Sequence, residues 1–339
     1  MSIADDDEAA KGLMSGPQAA TIECERTGST SSACASGNLP VVPSLCDIPP
    51  FKTNAQILSE LAAKGYVGTD KPESLYVLEH VTYQHLTPYL KALNNMSPHP
   101  DPSLKLAHDL LTFDRRMQAM LLKYTGVFEF QLRSQYLSHM AESHGAYAIY
   151  DAHLFLRANR HTETLGYYEQ EVQKRIRRDS NMRQAYEDGH GKLPLWMGVE
   201  CMTLGTLSSL FSNTRDRTVT DAVAHSFGAS KDELVSWTKT ITATRNICAH
   251  FEPLFVRKQL PAQPKAIRGL QCPRRSPLFA VLLLAHLLRK TIKTYDRNLD
   301  YKSRIEHDAA QEIAALLEYF GNVPIPGIPF NWRTLLNAQ

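Results

Sequence analysis

Apolar residues along this chain recur at the 3.6-residue spacing of amphipathic helices. No stretch of period-two alternation is long enough to predict a sheet. Thr53 or Asn54 caps a first helix that stops at Gly65. Pro72 suits the first turn of a second helix carrying Leu75, Leu78 and Val81. From Pro102 the series Leu106, Leu110, Phe113, Met117, Met120, Leu121 and Tyr124 continues through Phe128, Leu132, Tyr136 and Met140. That pattern predicts one very long helix, or two joined near Gly126. A charged helix is expected over 164–183, and another over 196–211, entered through a turn at 191–194. Ser230 and Glu233 have the spacing of a capping box ahead of Leu234, Trp237, Ile241 and Cys248. Pro277 opens a strongly apolar helix, expected to be core, and a last helix covers about 305–320, ending at Gly321. Pro324, Pro326 and Pro329 then argue against further helix. The fold class read from this pattern is all-α.

The chain has 339 residues, 43% hydrophobic and 21% charged, which excludes collagen-like, mucin-like and wholly disordered proteins. Residues 1–47 are rich in Ser, Gly, Ala and Thr and lack periodic apolar positions, so they read as a disordered acidic tail. An N-terminal helical subdomain is expected over 48–100, and a helical bundle with C-terminal helices over 101–339. The longest apolar run, 278–288, contains His286 and falls short of the ~18 residues a membrane span needs. Asp5, Asp6, Asp7 and Glu8 are the opposite of a secretory leader, and the expected location is cytoplasmic. The six cysteines form no CxxC pair and read as reduced thiols.

The formal net charge of +2 hides an uneven distribution. The tail holds seven acids against two bases, leaving a basic body. Residues 257–304 carry twelve bases, opposed only by Asp296 and Asp300. A second cluster comprises Lys174, Arg175, Arg177, Arg178 and Arg183 with Asp179. Basic clusters attract polyanions by counterion release, though a solvated helix face has the same composition.

No phosphate-binding loop, dinucleotide fingerprint, zinc-protease motif or nucleophile elbow occurs, and the thirteen histidines lack metal-ligand spacing. No cofactor, nucleotide or metal is therefore expected. The segment that stands out is Arg245-Asn246-Ile247-Cys248-Ala249-His250, at the C-terminal end of the capped helix. It offers a fixed cation, an amide and an imidazole that can exchange protons at neutral pH. Asn246 and His250 are four residues apart and share a helix face, whereas Arg245 and His250 lie about 140° apart around it. Two copies facing across a two-fold axis would bring both to one groove. Taken alone, an Arg and a His at a helix C-terminus read first as side chains capping or snorkelling there, favoured by the helix dipole.

Several ordered blocks between Phe51 and Trp332 resemble a known family. They are Val81-Thr82-Tyr83-Gln84-His85-Leu86-Thr87-Pro88-Tyr89, Phe113-Asp114-Arg115-Arg116-Met117, Glu129 to Arg133, Pro194-Leu195-Trp196-Met197-Gly198-Val199-Glu200 with Gly205-Thr206-Leu207-Ser208, the Arg245 to His250 motif, and Gly327-Ile328-Pro329-Phe330-Asn331-Trp332. Together they resemble the Abi-like (abortive-infection) proteins of the HEPN superfamily of helical ribonucleases. The likeness departs after the motif, where Phe251-Glu252-Pro253 stands in place of a second histidine.

The resemblance implies a HEPN-like bundle and a metal-independent endoribonuclease in phage defence or a toxin–antitoxin pair. It implies Arg245, Asn246 and His250 as catalytic residues, with the ribose 2′-OH as nucleophile. Arg257, Lys258, Arg175 and Arg178 are the expected RNA contacts, RNA the substrate or antidote, and a homodimer the working form. The alternative is a non-catalytic helical module that binds RNA or protein. The residues themselves read more plainly: Trp196, Phe113, Tyr83, Tyr89 and Trp332 as packing, Asp114 as an ion-pair partner of Arg115 or Arg116, and Glu129 with Arg133 as a local ion pair. Glu200 is a candidate to orient Arg245.

Overall fold

The computed structural model describes residues 50–96, 101–294, 300–321, 323–329 and 331–337; side chains 290–308, 310 and 337 are not among those described. The acidic tail expected over 1–47 lies outside these residues. The described chain is all-α. Thr53 caps α1 (Asn54–Ala63) with Gln56 reciprocating, and Gly65 follows at φ +84°. Pro72 opens α2 (Pro72–His80), and α3 spans Tyr83–Asn94. Ser103 caps α4 (Leu104–His144), a single 41-residue helix that runs through Gly126 without a break and ends at Gly145, φ +83°.

The charged helix expected over 164–183 is instead two, α5 (Ala158–Ile176) and α6 (Ser180–Asp188). Asp179 accepts hydrogen bonds from the backbone N–H groups of Asn181 and Met182, so it caps α6 and stops the preceding helix from continuing. The segment expected as one helix over 196–211 is likewise divided. A short α7 (Leu195–Gly198) passes through a 3₁₀ turn to α8 (Leu204–Asn213), which Thr203 caps. Then come α9 (Arg217–Ser226), not anticipated from the pattern, and α10 (Lys231–Ala249). α11 (Pro277–Thr294), α12 (Asp300–Tyr319) and α13 (Trp332–Asn337) complete the described helices. The prolines after Gly321 hold helix off only as far as Pro329.

Two apolar clusters share α4. The smaller joins Leu61, Leu86, Leu90 and Leu93 to Leu104, Ala107 and Leu110 at the start of α4. The larger begins at Phe113 and gathers the rest of α4 with α8, α9, α10 and α11. From Leu278 to Leu288 α11 is apolar except for His286 and enclosed, with Phe279, Leu283 and Leu287 fully buried, as its sequence leads one to expect. Each such side chain contributes roughly 1.5–3 kcal/mol on burial. No helix among the described residues is long and apolar enough to cross a membrane.

Candidate functional site

The site is built on the exit of α10. Leu234, Trp237, Ile241, Thr244 and Cys248 are buried and fix which edge of α10 faces outward. Arg245 is consequently half-buried and Asn246 exposed, with an Arg245 Nη1–Asn246 Oδ1 contact of 3.4 Å. The helix closes in a Schellman arrangement. The Phe251 N–H donates to the Cys248 carbonyl (3.2 Å) and the Glu252 N–H to the Ile247 carbonyl (3.0 Å). His250 thereby sits at the cap, exposed, one position before the reversal.

The residue after the cap normally favours glycine, because it adopts a left-handed backbone. Here it is Phe251, at φ +55°. Its carbonyl accepts a 2.6 Å bond from Arg115 Nη1, whose guanidinium lies 5.1 Å from the centre of its ring. Gln118 Nε2 donates to the Glu252 carbonyl at 2.8 Å, and Arg115 Nη1 also bonds the Gln118 side chain. A conformation that costs of order 1–3 kcal/mol is thus held from α4.

One step further along, Asp114 replaces the expected ion pair with a different role. Its carboxylate is fully buried and accepts from Tyr89 Oη (2.6 Å) and from the backbone N–H groups of Leu254 (2.8 Å) and Phe255 (3.2 Å). Burial holds its pKa above the ordinary carboxylate value, against the opposing pull of these hydrogen bonds and of Arg115. Asp114 therefore ties α3, α4 and the segment after His250 into one knot.

On its other side, Arg245 lines a cleft of about 670 Å³ between the end of α5, the start of α6 and the turn before α8. Five cations border it (Arg133, Lys174, Arg175, Arg178 and Arg245) and four acids. Glu129 pairs with Arg133 at 2.5 Å, as the local spacing predicts, and the Met202 carbonyl accepts from the same guanidinium. Glu171 pairs with Lys174 at 2.5 Å, and Asp179 approaches Arg175 at 4.0 Å. Glu200 lies 3.9 Å from Arg133. Among the described residues, Arg178 and Arg245 have no acidic partner, so these two guanidiniums remain available to an anion. Burial pushes the Cys201 thiol in the cleft wall up to about 11 and that of Cys248 up to about 12, so both stay protonated at neutral pH.

Comparison with known proteins now bears on the reading. A model of the Abi-like protein family matches residues 76–256, just over half of the chain. The chain belongs to the Abi-like protein family. The match runs from within α2 to the segment that Asp114 anchors, so it contains the cleft and the whole Arg245–His250 motif. Membership points to a role in abortive infection. No curated protein and no solved structure matches this chain.

Within the Abi-like chain the candidate residues do not all come together. Arg245, Arg175 and Arg178 line the cleft together; His250, Asn246, Arg257 and Lys258 do not. Arg257 donates to the Glu252 carboxylate and, at 2.7 Å, to the Pro253 carbonyl. Much of the long basic segment is similarly occupied: Arg274 and Arg275 donate to backbone carbonyls, and Lys265 pairs with Asp232. Its side chains from Lys290 to Arg304 lie outside those described. Trp196, expected in the core, is 56% exposed, because the division of its helix leaves it on the short outer turn α7. Phe113, Tyr89 and Trp332 are buried as expected. The residues that sequence reading missed are Arg115, Gln118 and Asp114 in their role as anchors of the His250 turn. Their partners lie about 135–140 positions away, and no local signal reports them.

Proposed function

We propose that this chain is a metal-independent endoribonuclease of an abortive-infection or toxin–antitoxin system, with a HEPN-type helical body acting as a homodimer. The observation that carries the reading is the position of Arg245. It shares a cationic cleft with Arg178 and Arg175, while His250 is presented in the open at the end of the same helix. Arg245 would grip a phosphodiester and stabilise the extra negative charge of its transition state. One His250 imidazole would take the proton of the ribose 2′-OH as that oxygen attacks phosphorus and the P–O5′ bond breaks. The second copy's His250 would return a proton to the departing 5′ oxygen, leaving a 2′,3′-cyclic phosphate and a 5′-hydroxyl. Asn246, on the face of His250, would orient the ring or the phosphate.

The separation of Arg245 from His250 within one chain also favours the second reading, a module that binds RNA without cutting it. Cleavage of an end-labelled RNA in EDTA decides between them. The expected outcome is cyclic-phosphate products with the wild type and at least a hundred-fold slower cleavage with His250→Ala and with Arg245→Ala, both remaining folded. RNA bound tightly with no products, unaffected by His250→Ala, would establish the binding module instead.

A further inference from the structure

A second concavity, about 380 Å³, adjoins the cleft and shares Glu171 and Thr203 with it. It lies between α5 and α8, and its chemistry differs from that of its neighbour. Its one cation, Arg160, is held internally: Nε donates to Ser209 Oγ at 3.1 Å and Nη2 to Ser212 Oγ at 2.8 Å. The remaining charges are the carboxylates of Glu163 and Glu171, so this is no phosphate site. Its volume is within the roughly 300–1,000 Å³ typical of pockets for small organic groups.

Two features indicate the kind of group. Tyr167 lines the pocket and is 58% exposed, and its hydroxyl has no hydrogen-bond partner among the described residues. An exposed aromatic side chain beside a cleft lined by cations is the arrangement on which single-stranded nucleic acids stack their bases. The second feature is Gly205, in the first turn of α8. A Cβ built there meets only Thr203 Oγ1 at 3.6 Å and Thr242 Cγ2 at 3.9 Å, which are ordinary contacts. Packing does not require a glycine at that position, and helix propensity opposes one. Gly205 is exposed and lines the pocket, so no side chain from this position takes up space there.

We infer that the α5–α8 pocket is a nucleobase subsite of a single-stranded RNA path. A base would stack on Tyr167 and offer its exocyclic amine to the Glu163 carboxylate, while the adjoining phosphate would lie in the Arg178–Arg245 cleft. This rests on the RNA reading above and extends it: the strand crosses α5 from the cleft toward Arg160, and bases that carry an amine are favoured over uracil.

The test is binding of 12-nucleotide single-stranded RNAs to the full chain carrying His250→Ala, so that the strand stays intact. Tyr167→Ala should weaken binding about five- to a hundred-fold, and Tyr167→Phe should leave it near the parent value. Gly205→Gln, which adds bulk at a lining position without a clash at Cβ, should weaken binding comparably with no loss of melting temperature. Oligo(A) and oligo(C) should bind more tightly than oligo(U), and Glu163→Gln should narrow that gap. If the parent binds RNA while Tyr167→Ala and Gly205→Gln bind equally well, the subsite is wrong and the RNA reading stands. If the parent binds no RNA at low salt, both fall.

Discussion

Asp114 shows how one side chain can govern a distant motif. It is fully buried and satisfies three donors from two parts of the chain. Asp114→Ala would strand two buried N–H groups and the Tyr89 hydroxyl, and should lower stability by about 2–4 kcal/mol in denaturant unfolding. Asp114→Asn keeps an acceptor and should lose less. In sequence the residue reads as an ion-pair partner of adjacent arginines, because short spacings reveal only short-range partners. Phe251 was equally silent, since nothing in an Arg-x4-His-Phe string signals a left-handed backbone. Arg245 and His250, by contrast, were legible as a chemically unusual pair, and their 140° offset already required two separate places within one chain.

Among the elements, α10 is legible in the sequence because both its signals are local: the capping box at Ser230 and the apolar 3.6-residue period. The box also has a pH signature. Hydrogen bonds from the backbone and side chain of Ser230 hold the Glu233 carboxyl below its ordinary value. A carboxyl lowered in the folded state stabilises above its unfolded pKa, and the contribution fades as the pH falls through the folded one. Glu233→Ala should therefore cost about 1 kcal/mol at pH 7 and progressively less below pH ~4, measured as urea midpoints at both. The misjudged elements share a cause. Across 164–183 and 196–211 the apolar period continues through Asp179 and Thr203, whose capping bonds end one helix and begin the next. Periodicity records the buried face; a cap within it is decided by a single side chain bonding to backbone.

At the scale of the whole molecule, the basic character divides into cations already engaged and cations left over. The segment after the motif carries the larger number of bases, yet Arg257, Arg274 and Arg275 are bonded within the chain. The shorter cluster supplies the cleft. Which cations remain available depends on where acids fold to, and that is a property of the tertiary structure alone. Arg178→Gln should weaken RNA binding across sequences and reduce the slope of log K against log salt by about 0.7, as expected for one phosphate contact on a single strand. Lys265→Gln, already paired with Asp232, should leave that slope unchanged.

The uninterrupted course of α4 has a mechanical consequence. A rod about 60 Å long threads both apolar clusters, and Asp114 stands where they meet. Through the Tyr89 phenol and the Asp114 carboxylate, α3 is therefore linked by two hydrogen bonds to the backbone just beyond His250. Trimming the chain before residue 101 would leave α10 its own caps and core contacts while cutting that tether. Arg115, Gln118 and Asp114 would still hold the imidazole's turn, and the loss would fall on Leu104, Ala107 and Leu110, stripped of their cover.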